Sequence, residues 1–201
     1  MLNEIKISDK VSIYQTNISY DKETLLKEIK LNIDINARSS TIPNEEAPGI
    51  QSDIVIKSKG IDSINNTALN ILNTELNCNI REPYFHHYWI YKSSKNNIYS
   101  SYHKHLSVKH FNLRNIEWTY TFYIQMPDKL EGDDGYLLFK TDDGIEYKIL
   151  PKEGDLIIFD AGLSHMPKTN TNSDIERVVL ASVFKNLNLD DKIIKEKKSL
   201  V

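Results

Sequence analysis

Hydrophobic residues change their period along this chain. Up to about residue 80 most of them recur three and four positions apart, and from Tyr84 onward they alternate with polar residues. That predicts helices first and strands after them. Residues 10–18 alternate and read as a strand. Asp21 can cap a helix running to about Ala37, with Leu25, Leu26, Ile29, Ile33 and Ile35 as its apolar stripe. Residues 39–48 form a polar loop with two prolines, followed by a short strand at 53–57. Gly60 is expected to break the chain, and Ser63 to cap a second helix to about Asn77. Ile64, Leu69, Ile71, Leu72 and Leu76 give that helix a face to bury.

Candidate strands then cover 84–93, 98–106, 116–126, 136–140, 145–150, 155–160, 164–169 and 176–184. Turn residues separate them, among them Lys95-Asn96-Asn97, Asp142-Asp143-Gly144 and Glu153-Gly154. So many short strands in succession predict a sandwich or jelly roll. In the longest, Trp118, Tyr120, Phe122, Ile124 and Met126 share one face. Thr119, Thr121, Tyr123 and Gln125 share the other, which is apolar enough to bury and polar enough to line a pocket. The fold class expected is α+β, mainly β, with the helices covering the outer face of one sheet. One domain is expected over 1–201: an N-terminal strand and helical support (1–80), a β core (81–185) and a charged tail (186–201).

Composition narrows the chemistry. Forty per cent apolar residues in 201 suffice for a sizeable core, and a net charge of −3 argues against duplex nucleic acid as a partner. The single cysteine, Cys78, excludes an internal disulfide and a cysteine-rich zinc site, and is expected to be an inert boundary residue. No apolar run has transmembrane length and the start lacks a signal-peptide core, so a cytoplasmic protein without a membrane partner is expected.

The candidate chemistry lies in two segments. Residues two apart on an extended strand point the same way, so His103 and His105 can aim two imidazoles at one point. Pro151-Lys152-Glu153-Gly154-Asp155 opens a hydrophobic strand that leads to a third imidazole, His165, and Arg177 follows. Imidazoles without thiolates suit iron, zinc, copper or nickel, and a guanidinium grips a carboxylate in a fork. His86, His87 and His110 read as ordinary core or surface histidines, as does a lone histidine in general. For Arg177 the plain alternative is a salt bridge to a protein carboxylate.

The order His103-Lys104-His105, Gly154-Asp155-Leu156-Ile157-Ile158-Phe159, His165 and Glu176-Arg177 resembles 2-oxoglutarate/Fe(II)-dependent oxygenases of the double-stranded β-helix fold. The likeness is greatest to a group common in marine bacteria and their phages. Gly49-Ile50-Gln51-Ser52 and Tyr123-Ile124-Gln125-Met126-Pro127 match further motifs of that group. The resemblance covers residues 49–185. It implies Fe(II) and 2-oxoglutarate as cofactors, with His103 and His165 as iron ligands and Arg177 pairing with the distal carboxylate of 2-oxoglutarate. Tyr123 or Thr121 would hydrogen-bond the cosubstrate. The implied reaction decarboxylates 2-oxoglutarate to succinate and hydroxylates a second substrate.

One position departs from that pattern. Two residues after His103 stands His105, where the family carries Asp or Glu. Either His105 is the third ligand, or a carboxylate such as Glu117 arrives from elsewhere. Two other readings stay open: a cupin-like three-histidine dioxygenase that uses no 2-oxoglutarate, and a non-catalytic binding module on the same scaffold. Tyr88, Tyr91, Tyr102 and Trp118 are candidate pocket walls for a small-molecule, amino-acid or peptide substrate. A homodimer is compatible with the sequence.

Overall fold

The structure, a computed structural model, describes residues 1–36, 50–51, 58–81, 84–94, 101–105, 107–108, 113–114, 117–168 and 172–186. The expected loop at 39–48, the strand at 53–57, His110 and the tail from 187 lie outside the described residues.

The chain runs β1 (Asn3–Ser8), β2 (Val11–Asn17), α1 (Lys22–Asn36), β3 (Ile50–Gln51), α2 (Lys59–Thr74) and β4 (Tyr84–Ser93). It continues through β5 (Ser107–Val108), β6 (Leu113–Arg114), β7 (Trp118–Gln125), β8 (Leu137–Lys140) and β9 (Glu146–Ile149). It closes with β10 (Asp155–Asp160), β11 (Ser164–Pro167) and β12 (Arg177–Asn186). A seven-stranded sheet has the order β1-β2-β10-β7-β12-β4-β3, a three-stranded sheet the order β11-β8-β9, and β5 pairs with β6. Every pairing is antiparallel. Among the described residues, no helix is long and apolar enough to cross a membrane.

Among the described residues, two large apolar cores result from the alternation along the large sheet, and Phe85, Ala161 and Val183 form a smaller third cluster against Trp89. Tyr120, Phe122 and Ile124 of β7, Leu156 and Ile158 of β10, and Leu180 and Phe184 of β12 pack outward against Leu25, Ile29, Ile61, Ile64, Ala68 and Leu72 of the helices. Ile13, Tyr123, Ile157, Phe159 and Val179 point the other way and meet Leu137, Phe139 and Ile149 of the small sheet. The helices therefore cover one sheet, as expected, and the second core lies between the sheets.

Several local readings need correction. The second helix is capped by Ser58, whose backbone is extended (φ −146°, ψ 129°) and whose hydroxyl accepts from the Ile61 amide. The expected cap, Ser63, lies inside the helix. Gly60 does not break the chain. It sits in the first turn of α2, where a β-carbon would stand 3.2 Å from Leu25 Cδ1, so its small size serves close packing of α1 on α2. Asp21 does cap α1, accepting from the Thr24 amide at 3.1 Å. The segment 101–105 is no regular strand and touches the sheet through one bridge, His103 to His165. Met126 leaves the outer face: Val178 pairs with Gln125 and Val179 with Tyr123, so a bulge at Ile124 breaks the alternation and Met126 packs with the inner core. β1 was not expected, because it is a short edge strand of mostly polar residues.

Candidate active site

The site forms where two extended segments cross. His103 and His165 exchange backbone hydrogen bonds of 2.9 and 3.0 Å, and the His105 amide donates to the Ala161 carbonyl at 2.9 Å. These bonds put all three imidazoles on the same side. Their candidate ligand nitrogens lie within 4.8 Å of one another. The ring centroids are 4.3 Å apart for His103 and His165, 5.0 Å for His103 and His105, and 4.9 Å for His105 and His165.

The ring tautomers follow from their partners. His165 Nδ1 lies 3.0 Å from the Leu163 carbonyl, and His103 Nδ1 lies 3.3 Å from the Ser101 carbonyl. A carbonyl only accepts, so each Nδ1 carries the proton and each Nε2 keeps a lone pair. Holding a ligand histidine by its second nitrogen is the usual support for a metal site. Desolvation keeps the rings neutral. It lowers His105 to about 3 and His165 well below the usual imidazole range, and it lowers His103 too, against the Ser101 bond that raises it. His103 nevertheless stands exposed at the rim, His105 is half-buried, and His165 is buried. Bonds of about 2.1 Å to one ion span at most about 4.2 Å between nitrogens, so small side-chain rotations complete the set. Three neutral, converging imidazoles fit a divalent metal.

The second part of the site is Arg177. It is 1% exposed and opens β12 opposite Ser93 of β4. Gln125 Nε2 holds the preceding carbonyl, that of Glu176, at 2.9 Å. Arg177 Nη1 donates to the Lys168 carbonyl at 2.6 Å, and the guanidinium carbon lies 6.0 Å from the Tyr91 ring centre. Its Nε and Nη2 have no hydrogen-bond partner, and among the described residues no carboxylate pairs with it. Desolvation lowers its pKa, opposed by Tyr123 and Tyr91.

Among the described residues, the other buried side-chain polar atoms without a partner are the hydroxyls of Ser93, Thr119 and Thr121. By alternation all three share the inner face of β4 and β7 with Arg177, on the two strands flanking β12. Tyr123 stands among them. Burial raises its phenol pKa, while the Arg177 charge and the nearby Thr121 hydroxyl lower it. Thr121 lies close enough to influence Tyr123, yet makes no hydrogen bond of normal geometry. A sheet face with a guanidinium and three hydroxyls unmet by the described residues fits a polar, anionic ligand.

Glu117 is not part of the cluster. Its carboxylate accepts from Asn186 Nδ2 at 3.3 Å, and its backbone bonds Phe184 and Ala161. His86 stacks on Phe184 with centroids 4.2 Å apart and lies 2.8 Å from Ser182 Oγ, a packing role. Tyr88 and Trp118 pack with the helix-side core, and Trp118 also lines a cavity with Lys104, Thr141 and Leu163. Tyr102 reaches Glu146 at 3.4 Å, outside the cluster, so only Tyr91 of the four aromatic candidates faces Arg177. Trp89 was missed: its ring meets His105 edge-on at 5.3 Å. The alternation that puts Tyr91 on the inner face of β4 puts Trp89 there too, so the signal was present. Of the motif at residues 49–52, Ile50 and Gln51 form β3 at the edge of the large sheet.

No family model and no curated protein matches the sequence. Solved structures do match in fold. A prolyl-4-hydroxylase from Pseudomonas putida aligns over 88% of this chain and 93% of its own, with a TM-score of 0.64 and 14% identity. A viral collagen prolyl hydroxylase from Paramecium Bursaria Chlorella virus-1 aligns over 87% and 96%, at 0.59 and 16%. A prolyl hydroxylase in complex with a hypoxia inducible factor peptide fragment from Trichoplax adhaerens aligns over 90% and 86%, at 0.62 and 14%. These sources lend no support to the narrower likeness to marine-bacterial and phage enzymes. The chain has the double-stranded β-helix fold seen in 2-oxoglutarate/Fe(II) oxygenase structures, prolyl hydroxylases among them.

Proposed function

We propose that this protein is a non-haem Fe(II), 2-oxoglutarate-dependent dioxygenase. In this reading His103, His105 and His165 hold the iron. Arg177 holds the distal carboxylate of 2-oxoglutarate, helped by Tyr123 or Thr121. The observation that carries the reading is the orphaned guanidinium. A fully buried arginine with two donors unmet by the described residues is costly unless an anion completes it. When bound, iron and 2-oxoglutarate supply O₂-dependent oxidation of a second substrate with release of succinate and carbon dioxide.

The chain's own residues orient and enclose. The carbonyls of Ser101 and Leu163 fix the proton at Nδ1 of His103 and His165, leaving Nε2 as the nitrogen that would hold a metal. Phe139 and Phe159 meet the His165 ring at 6.4 and 4.8 Å and exclude water behind it. A peptide or amino-acid side chain is the first substrate class to screen, given the prolyl hydroxylases among the similar folds.

The test is the visible spectrum of the protein with Fe(II) and 2-oxoglutarate without oxygen. Chelation of iron by the keto acid gives a weak charge-transfer band. The band is expected with the natural protein, is lost in His103→Ala, and needs more 2-oxoglutarate in Arg177→Ala. His105 in place of a carboxylate favours a second reading, a three-histidine dioxygenase without 2-oxoglutarate. Iron binding with no band would move that reading ahead. No iron binding would leave a binding module.

A further inference from the structure

The charges around the site do not balance. Imidazoles hold a metal as neutral ligands, and among the described residues no carboxylate joins the cluster, so a divalent ion bound there would bring two positive charges with no ligand charge to offset them. The buried guanidinium of Arg177 adds a third. Both cation positions lie on one sheet face: Trp89, whose ring meets His105 edge-on, and Tyr91, whose ring centre is 6.0 Å from the Arg177 guanidinium carbon, stand two apart on the inner face of β4. Asp155 is a buried carboxylate on the same sheet, but Gln15 Nε2, Asn17 Nδ2 and the Lys152 amide already occupy it at 2.8, 2.9 and 2.8 Å. Like charges on one face of a low-dielectric interior repel, and a dianion bound between them would relieve both.

We infer that metal binding at this site is conditional on a dicarboxylate: His105 removes the charge that would hold iron alone, so Fe(II) and the dianion bind as a pair. This rests on the proposed function and adds a dependence that a site with a ligand carboxylate has in weaker form. Linkage makes the effect reciprocal, so iron tightens the dianion by the same factor.

Fe(II) is titrated without oxygen into the natural protein, with quenching of tryptophan fluorescence as the readout, since Trp89 lies against His105. The titration is repeated with 2-oxoglutarate and with glutarate, which has the same charge and no keto group. We expect 2-oxoglutarate to tighten Fe(II) by more than about tenfold and glutarate by about fivefold, within the usual range of coupling. Tightening by 2-oxoglutarate with none by glutarate would show chelation alone. It overturns this inference and leaves the proposed function standing. No response to either dicarboxylate overturns the proposed function and this inference with it. Arg177→Met adds a readout that a structural arginine would not move. With the second cation gone, Fe(II) alone should bind several-fold tighter than to the natural protein. Unchanged or weaker binding counts against the inference.

Discussion

Replacing Arg177 by methionine keeps most of the side-chain volume and removes the buried charge. In the ligand-free protein, Nε and Nη2 are buried without partners. An unmet buried donor costs about 1–3 kcal/mol, so the two together cost about 2–6 kcal/mol. The variant loses the Nη1 bond to the Lys168 carbonyl, about 1.5–3 kcal/mol for a charged donor. It also loses the contact with Tyr91, about 0.5–2 kcal/mol. These terms nearly cancel, and the methionine side chain, which buries apolar surface where the guanidinium buried polar atoms, tips the balance. Arg177→Met should therefore stabilise the ligand-free protein by about 1–4 kcal/mol, the range found when buried ionic groups give way to apolar ones. Urea unfolding without ligand measures it. With Fe(II) and 2-oxoglutarate at a hundred times the dissociation constant, the natural protein should gain about 2.7 kcal/mol and the variant much less. A variant less stable than the natural protein by more than about 1 kcal/mol would falsify the argument, because Arg177 would then be satisfied without an anion.

Other perturbations test the frame around the site. His86 has its pKa lowered to about 4, mainly by burial, against about 6.5 in an unfolded chain. The unfolded state protonates first, so this contribution to stability is complete above pH 6.5 and is lost as pH falls toward 4. His86→Phe keeps the stack on Phe184 and should flatten part of that acid limb in unfolding measured across this window; an unchanged limb would mean the ring is not held neutral. Gly154 has φ +85° at the junction of β2, β7 and β10, and a β-carbon there would lie 2.9 Å from the Ile18 carbonyl oxygen. Gly154→Ala should cost about 2 kcal/mol or more in urea unfolding, and a neutral result would show that the turn relaxes freely. Burial pushes the Cys78 thiol up to about 11, so a disulfide reagent at pH 8 should label it far more slowly than free cysteine. Labelling at the free rate would show an open thiolate.

Much of the fold was legible because strand period and turn chemistry agree. β4 and β10 occupy the ranges read from alternation, and β7, β8, β9, β11 and β12 fall within a few residues of theirs. Where the reading failed, a longer-range contact overrode the local signal. Gly60 is a strong breaker in isolation, yet Leu25 packs over it and Ser58 supplies the cap. Met126 follows the alternation of β7 until the bulge at Ile124, which follows from pairing with β12 and not from local sequence. β1 carries too few apolar residues to announce itself, and it exists because β2 presents an edge to pair with.

The site was legible in part for a related reason. Spacing brings His103 and His105 to one side, and the crossing of residues 101–105 over β11 brings His165 to meet them. That crossing is a single bridge, which no local pattern specifies. The choice between His105 and Glu117 was open in the sequence, since His105 stands two positions after His103 and Glu117 stands at the start of the next expected strand. Packing separates them geometrically: Glu117 points to Asn186, and His105 lies against Trp89 beside the other two rings. The orphan hydroxyls of Ser93, Thr119 and Thr121 were legible as polar residues on a strand face and not as unmet ones, because satisfaction depends on every neighbour at once. What a single sequence shows least is charge balance. The usual carboxylate and the histidine in its place occupy the same position, yet one offsets a metal and the other does not. Under the proposed function, neutral ligands on the same sheet face as a buried cation would draw their counterion from the cosubstrate, a constraint on its charge that no motif in the chain expresses.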